Sequence, residues 1–368
     1  MRAVRKSIFA ILLMGLVGCQ VPTTVALRGG GGRNAFNQTL QMTTNEQLLL
    51  NLVRLRYCDT PYFLNVTNIT NQVSYESEAN AKFFIPGFSK GNPTALGGAL
   101  SWKSQPTIVY TPVEGKQFSE LLLKPIDLVF IQQLVYSGWD IDRVFKLSVQ
   151  SFDNMYNAPT ASGPFPNTSP VYRKFYRVTQ LLRHFQKLNQ LQVGVHSSLA
   201  NEDSKIQTGC ALQIYFPDNG NESKELAKLL GNLQSSEGYY VINIKLGFQK
   251  KGQVGIMPRS ILSCMYYLSL GVDVPDKHEA NSIGITTICD DQCPFEWKEV
   301  IQDLICINHS KSEPSEAAVK VKYRNYWFYI DETDISSKRT FVLLLNLFNL
   351  QAGSSEQKAP ILTIPVGV

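Results

Sequence analysis

From Ser7 to Gly18 the chain carries no charge and is mostly apolar, directly after the basic residues Arg2, Arg5 and Lys6. This run is too short to cross a bilayer, which takes about 20 apolar residues. A basic start followed by a short apolar core is instead the pattern of an export signal. The remaining sequence has no second apolar run long enough to span, so it has to bury its apolar residues in a core of its own. Removing residues 1–18 from 368 leaves 350, ample for one large domain or two ordinary ones. The signal holds three basic residues and no acidic one, so the net charge falls from +5 to +2 (5 − 3). The basic balance is thus partly a property of the signal, and no nucleic-acid partner is expected.

Leu16-Val17-Gly18-Cys19 resembles the lipobox of bacterial lipoproteins. The resemblance implies cleavage before Cys19, acylation of that cysteine and attachment to a membrane through its acyl chains. An Asp after the cysteine tends to retain Gram-negative lipoproteins at the inner membrane. Gln20 stands there instead, which favours the outer membrane, with the body facing the periplasm. Residues 19–35, with Gly29-Gly30-Gly31-Gly32, read as a flexible tether between lipid and body. No Gly-Lys-Ser/Thr follows the glycines, so a phosphate cradle is not the better reading.

Six further cysteines remain: Cys58, Cys210, Cys264, Cys289, Cys293 and Cys306. Disulfides are permitted outside the cytosol, but six cysteines allow fifteen full pairings. Cys210 and Cys264 lie in apolar stretches and read as buried thiols. Cys289 and Cys293 flank Asp290-Asp291-Gln292, and a local disulfide between them is plausible. The nearby His278, Cys306 and His309 do not complete a standard zinc spacing, so neither a metal nor a cofactor is expected.

The pattern along the chain predicts an α+β protein, with a helix-rich part with short strands over 36–160 and a mixed sheet-plus-helix part over 161–368. The two could equally form one continuous domain. Thr44 and Gln47 have capping-box spacing, and Leu48, Leu52 and Leu55 repeat as on a helix to about Tyr57. Two strands are expected between Tyr62 and Phe84 and one at Thr107–Tyr110. Helices are expected at 115–123, 126–136 and 140–156, with Ser137-Gly138 as a stop and Asp140 as a new cap. Four prolines between Asn157 and Pro170 mark a boundary or an exposed loop. A long helix to about Asn189 follows, then strands at 192–196, 210–216, 239–248 and 305–308, and helices at 222–233 and 259–270.

Four segments carry a family resemblance: Asn45 to Tyr57 with Asp59-Thr60-Pro61; Pro106 to Pro112 with Gly115 and Phe118; Tyr326 to Asp331 running into Ser337 to Phe341; and Leu362 to Gly367. Together they resemble a family of uncharacterised proteobacterial envelope lipoproteins, across nearly the whole mature chain. The resemblance implies the anchor and a Gram-negative setting. It brings no substrate or catalytic residue.

Two surfaces stand out. Val319, Val321 and Tyr323 alternate with Lys320 and Lys322, and a turn at Arg324-Asn325 would pair Tyr323 with Tyr326, Val321 with Phe328 and Val319 with Ile330. One face would then be core. The other would set Lys322 opposite Trp327 and Lys320 opposite Tyr329, as a half-buried hairpin or as a stacking platform for sugar or peptide. Asp334 is placed to cap a helix that buries Phe341, Leu344, Leu345 and Phe348. The helix after the prolines carries an apolar stripe, Val171, Phe175, Val178, Leu182 and Phe185. Arg173, Arg177, His184 and Lys187 form a second stripe, either a solvated face or one that meets anionic lipid or an acidic partner.

Hydrolase, zinc-protease, Walker and dinucleotide motifs are missing, and the four histidines lie in no short motif with a nucleophile or carboxylate. Triads also assemble from distant residues, so this lowers an enzyme reading and does not remove it. The expected role is a non-enzymatic scaffold or accessory subunit of an envelope assembly, a secretion apparatus among the candidates, with other envelope proteins as partners. The alternative is an envelope hydrolase or a binder of cell-wall sugar or peptide centred on Trp327 and Tyr329.

Overall fold

The structure, a computed structural model, describes residues 33–80, 97–196, 211–247, 253–281, 285–288 and 293–353. The signal, Cys19, Cys210, Cys289 and the motif at 362–367 lie outside the described residues. So does most of the tether, of which Arg33, Asn34 and Ala35 belong to the first helix. The chain is α+β, and its described part forms two compact units, one around Asn65–Thr111 and one combining Asn45–Leu64 with Pro112–Pro360.

The elements run α1 (Arg33–Arg56), β1 (Leu64–Asn80), β2 (Gly97–Pro112), α2 (Gly115–Phe118, continued by a π-turn over Ser119–Leu123), α3 (Leu128–Tyr136) and α4 (Ile141–Ser148). Next come β3 (Val149–Phe152), β4 (Met155–Tyr156), α5 (Arg173–Lys187), β5 (Gln192–His196), β6 (Ala211–Pro217), α6 (Asn221–Leu229), β7 (Tyr239–Leu246) and β8 (Val254–Pro258). The chain continues through α7 (Ile261–Ser269), α8 (Asp276–Ala280), α9 (Lys298–Ile301), β9 (Asn308–Ser310), β10 (Ala317–Tyr323), β11 (Tyr326–Asp331) and α10 (Ile335–Gly353).

In the first unit β1 and β2 form a two-stranded sheet, and the Thr67 hydroxyl donates to the Val109 carbonyl at 3.2 Å. One long strand replaces the two expected between Tyr62 and Phe84.

The second unit is built on a six-stranded sheet, ordered β4-β3-β8-β7-β6-β5. Neighbours are antiparallel except β7 and β8. Residues alternate along these strands, so Leu212, Ile214 and Phe216 of β6 and Tyr240, Ile242 and Ile244 of β7 are buried. Helix α5 packs its apolar stripe through Phe175, stacked 5.0 Å from Phe152, and Phe185, 5.5 Å from Phe216. The sheet joins strands from both sides of residue 160, so the proline-rich stretch lies within this unit. Where β8 meets its neighbours only glycine fits: a Cβ on Gly255 would lie 2.0 Å from the Gly247 carbonyl oxygen. Strand β8 carried no clear alternation in the sequence and was not anticipated.

Three local expectations change for identifiable reasons. Helix α1 starts at Arg33, so Thr44 is interior and Gln47 has a different task. Its amide accepts from Leu64 N at 2.8 Å, and Asn51, one turn later, accepts from Tyr62 N at 3.0 Å and donates to Tyr62 O at 2.8 Å. The helix expected over 140–156 stops at Ser148 and becomes β3. Arg259 donates to the carbonyls of Lys146, Leu147 and Val149, and Asn157 to those of Lys146 and Val149. Carbonyls that would extend the helical ladder are taken by side chains from elsewhere. The strand expected at 305–308 is displaced to Asn308–Ser310, while Ile307 bridges to Val272. No helix among the described residues is long and apolar enough to cross a membrane.

Candidate functional site

The C-terminal hairpin has the expected register: Tyr323 with Tyr326, Lys322 with Trp327, Val321 with Phe328, Lys320 with Tyr329 and Val319 with Ile330. Val319, Val321, Phe328 and Ile330 are buried. On the other face the ammonium groups of Lys320 and Lys322 lie 5.9 and 6.0 Å from the same ring, that of Trp327. Lys320, whose register partner is Tyr329, also ion-pairs with Glu313 at 2.9 Å and donates to the Pro314 carbonyl. Strand β9 pairs with β11 and places Ser310 and Asn308 opposite Trp327 and Tyr329. Trp327 and Tyr329 are therefore half-buried, and the indole already engages two cations, which leaves little of it for stacking on a ligand.

Helix α5 exposes Arg173, Arg177, His184 and Lys187 as a basic face. Arg177 is matched within the fold: its guanidinium meets Glu225 of α6 in two bonds of 2.7 and 2.6 Å. This hydrogen-bonded pairing raises the arginine pKa and holds the carboxyl below its ordinary range. Val171, counted in the apolar stripe, precedes the helix and is 62% exposed. Cys264 is buried, Cys306 half-buried and Cys293 exposed. With Cys289 outside the described residues, its pairing with Cys293 stays a proposal.

Two open clefts lie elsewhere, around Trp139. Helix α3 ends in a Schellman motif, with Gly138 N donating to the Val135 carbonyl and Trp139 N to the Leu134 carbonyl, both at 3.1 Å. Gly138 supplies the left-handed residue, at φ +89°. Trp139, just after the motif, is half-buried and packs against the core. Gln186 of α5 holds the turn from behind: its amide donates to the Trp139 carbonyl at 2.9 Å and accepts from Ile141 N at 2.9 Å.

Two clefts share Ser137 and Trp139. The first, about 430 Å³, is lined by Asp140 and by three arginines from three helices, Arg143, Arg183 and Arg339. Arg183 is ion-paired with Asp140 and lies 3.9 Å from Asp142. Arg143 donates to the carbonyl and hydroxyl of Ser336 and to the Thr340 hydroxyl, acceptors that leave its charge unneutralised. Arg339 is exposed and has no ion pair with any described residue. The second cleft, about 680 Å³, is largely apolar, with Leu134, Tyr136 and Leu350 in its wall beside the amides of Gln133, Asn346 and Asn349. Both volumes are in the range of ligand sites.

Sequence reasoning missed this site because positions 139, 143, 183 and 339 share no motif. The one available signal was local: a tryptophan three places after a helix's last residue, following glycine, is held by the Schellman turn against the helix end. Compared with known proteins, the chain matches no family model, no curated protein and no solved structure.

Proposed function

We propose that this chain is an outer-membrane lipoprotein, anchored through acyl chains on Cys19 and facing the periplasm. It acts there without catalysis, as a scaffold or accessory subunit of an envelope assembly such as a secretion apparatus. The lipobox and basic-plus-apolar start support the anchor, and the resemblance to envelope lipoproteins supports the setting. The observation that carries the non-catalytic part is the chemistry of the Trp139 cleft. Its guanidinium, indole and carboxamide groups bind and orient partners, and the carboxylate in its wall, Asp140, is ion-paired with Arg183.

The test is affinity purification from crosslinked cells, with mass spectrometry, of the wild type and of Cys19→Ala. The reading expects a defined set of envelope proteins with the wild type. It also expects the Cys19→Ala protein to leave the outer-membrane fraction, since the anchor is lipid. An unmodified Cys19 with unchanged fractionation removes the anchor. A wild type that captures no envelope protein beyond the level of an unrelated lipoprotein removes the scaffold.

A further inference from the structure

Resting on the reading of this chain as a partner-binding lipoprotein, we infer that the Trp139 cleft receives a peptide segment of a partner protein in which a carboxylate side chain neighbours an apolar one. The two clefts that adjoin at Ser137 and Trp139 ask for different chemistry. At the first, three guanidiniums line the wall, and the two nearby carboxylates, Asp140 and Asp142, both lie against Arg183. The terminal nitrogens of Arg143 bond neutral oxygens while its buried Nε has no partner, and Arg339 has no ion pair among the described residues. An entering carboxylate gains charge-assisted hydrogen bonds there and has a planar fork to dock on.

At the second cleft the wall is mostly apolar, yet Gln133, Asn346 and Asn349 stand in it. A hydrocarbon chain laid over them would strip water from three carboxamides and return no hydrogen bond, a cost at each group. A peptide supplies an apolar side chain for Leu134, Leu350 and Trp139 and backbone N–H and C=O groups for the amides. The site is also set in advance, because the Schellman turn and the Gln186 bonds fix Trp139 before anything binds. Little ordering then remains to be done on association.

The experiment displays a random peptide library to the full-length lipoprotein held in lipid nanodiscs, with Arg339→Glu as the counter-target. Arg339 is exposed, so its replacement spares the fold, and a thermal melt checks this. The expected selection enriches sequences with Asp or Glu beside Leu, Phe, Tyr or Trp. One selected peptide, resynthesised, should bind Arg339→Glu and Trp139→Ala at least about tenfold more weakly, because an interfacial charge or anchor is lost. Its own carboxylate-to-amide version should weaken equally, while Arg173→Glu, away from the cleft, should bind normally. Enriched peptides without an acid, or equal binding by the cleft variants, overturn the inference. Competition by anionic-lipid vesicles that Arg339→Glu abolishes would assign the cleft to lipid and also overturn it. Failure here with envelope partners still captured in cells removes the cleft and leaves the scaffold; peptide binding without captured partners does the reverse.

Discussion

The guanidinium of Arg259 lies 4.0 Å over the ring centroid of Tyr267, and neither side chain reaches solvent. The acceptors around this arginine are neutral: the Ser162 hydroxyl and the carbonyls of Lys146, Leu147, Val149 and Asn157. It works as a hub that ends α4, starts β3 and fixes the loop after β4. Arg259→Met would leave those buried carbonyls short of donors, and the loss should be at least about 3 kcal/mol. Arg259→Lys should not restore it, since an ammonium has no plane to stack and no fork to span the acceptors. Denaturant unfolding of both variants checks this, and wild-type stability in Arg259→Lys would refute the hub.

Burial pushes Tyr57, Tyr267 and Cys264 up to about 12 each. The folded chain thus holds these protons more tightly than the unfolded chain. Their contribution is complete below the unfolded values, 10.0 for tyrosine and 9.0 for cysteine, and is lost as pH rises through about 12. Stability should fall steeply over that window. Tyr267→Phe should flatten the fall while weakening the protein at neutral pH, where the Tyr176–Tyr267 hydroxyl bond of 2.9 Å is lost. Tyrosinate absorbance against pH, followed alongside circular dichroism, measures both.

The amide clamp on the chain after α1 gives a local test. Asn51 is fully buried and makes both bonds to the Tyr62 backbone. Asn51→Leu should cost about 1–3 kcal/mol, because two hydrogen bonds from a buried side chain to the backbone are lost. Hydrogen exchange should speed up first at the Tyr62 amide. Uniform acceleration across the six-stranded sheet, with no earlier change at Tyr62, would show that the clamp is not local.

What could be read from the sequence had short reach. The alternation of Val319, Val321 and the lysines around Arg324-Asn325 fixed a hairpin register, because period two and a two-residue turn leave one solution. Asp334 was legible as a cap, and it accepts from Ser337 N at 3.0 Å. Ser137-Gly138 was legible as a stop. By contrast, the switch from α4 to β3 depends on Arg259, more than a hundred residues later, and the local pattern through Tyr156 continues as if the helix did. Gln47 had the right spacing for a capping box, yet the true helix start lies earlier and frees its amide for Leu64. The cleft gathers arginines from α4, α5 and α10, a juxtaposition that only the packing of those helices creates.

Gly138 links the fold to the cleft. Its φ of +89° suits glycine, and a Cβ there would meet no atom within 4 Å. The cost of Gly138→Ala is therefore backbone strain, about 1 kcal/mol, with no clash to confuse it. The variant should melt a few degrees lower and bind the selected peptide more weakly, because Trp139 loses its Schellman geometry. If binding drops without any loss of stability, the turn positions the indole but does not hold the helix end.

The hairpin turn offers the sharpest test of a contact against local strain. Arg324 and Asn325 have φ of 46° and 67°, as a two-residue turn between twisted strands requires. Asn tolerates this conformation and Arg does so poorly. Arg324 stays because of what it reaches: its guanidinium bonds Asp59 at 2.8 Å and lies 5.0 Å over the Tyr57 ring. Burial by itself would raise the Asp59 pKa, but hydrogen bonds from Tyr323 and Arg324 outweigh it and the net shift is downward. The Asp59 contribution is therefore present above the ordinary carboxylate value of 3.8 and lost as pH falls through the lower folded value. Arg324→Asn should destabilise the wild type at neutral pH, because the pair is lost. In the Asp59→Asn background the same substitution should stabilise, because only the strain relief remains. A double-mutant cycle by thermal melting measures this coupling, which should vanish in acid once Asp59 is protonated. An Arg324→Asn effect of the same sign and size in both backgrounds would mean that the pair contributes nothing and that the arginine is held at this turn for another reason.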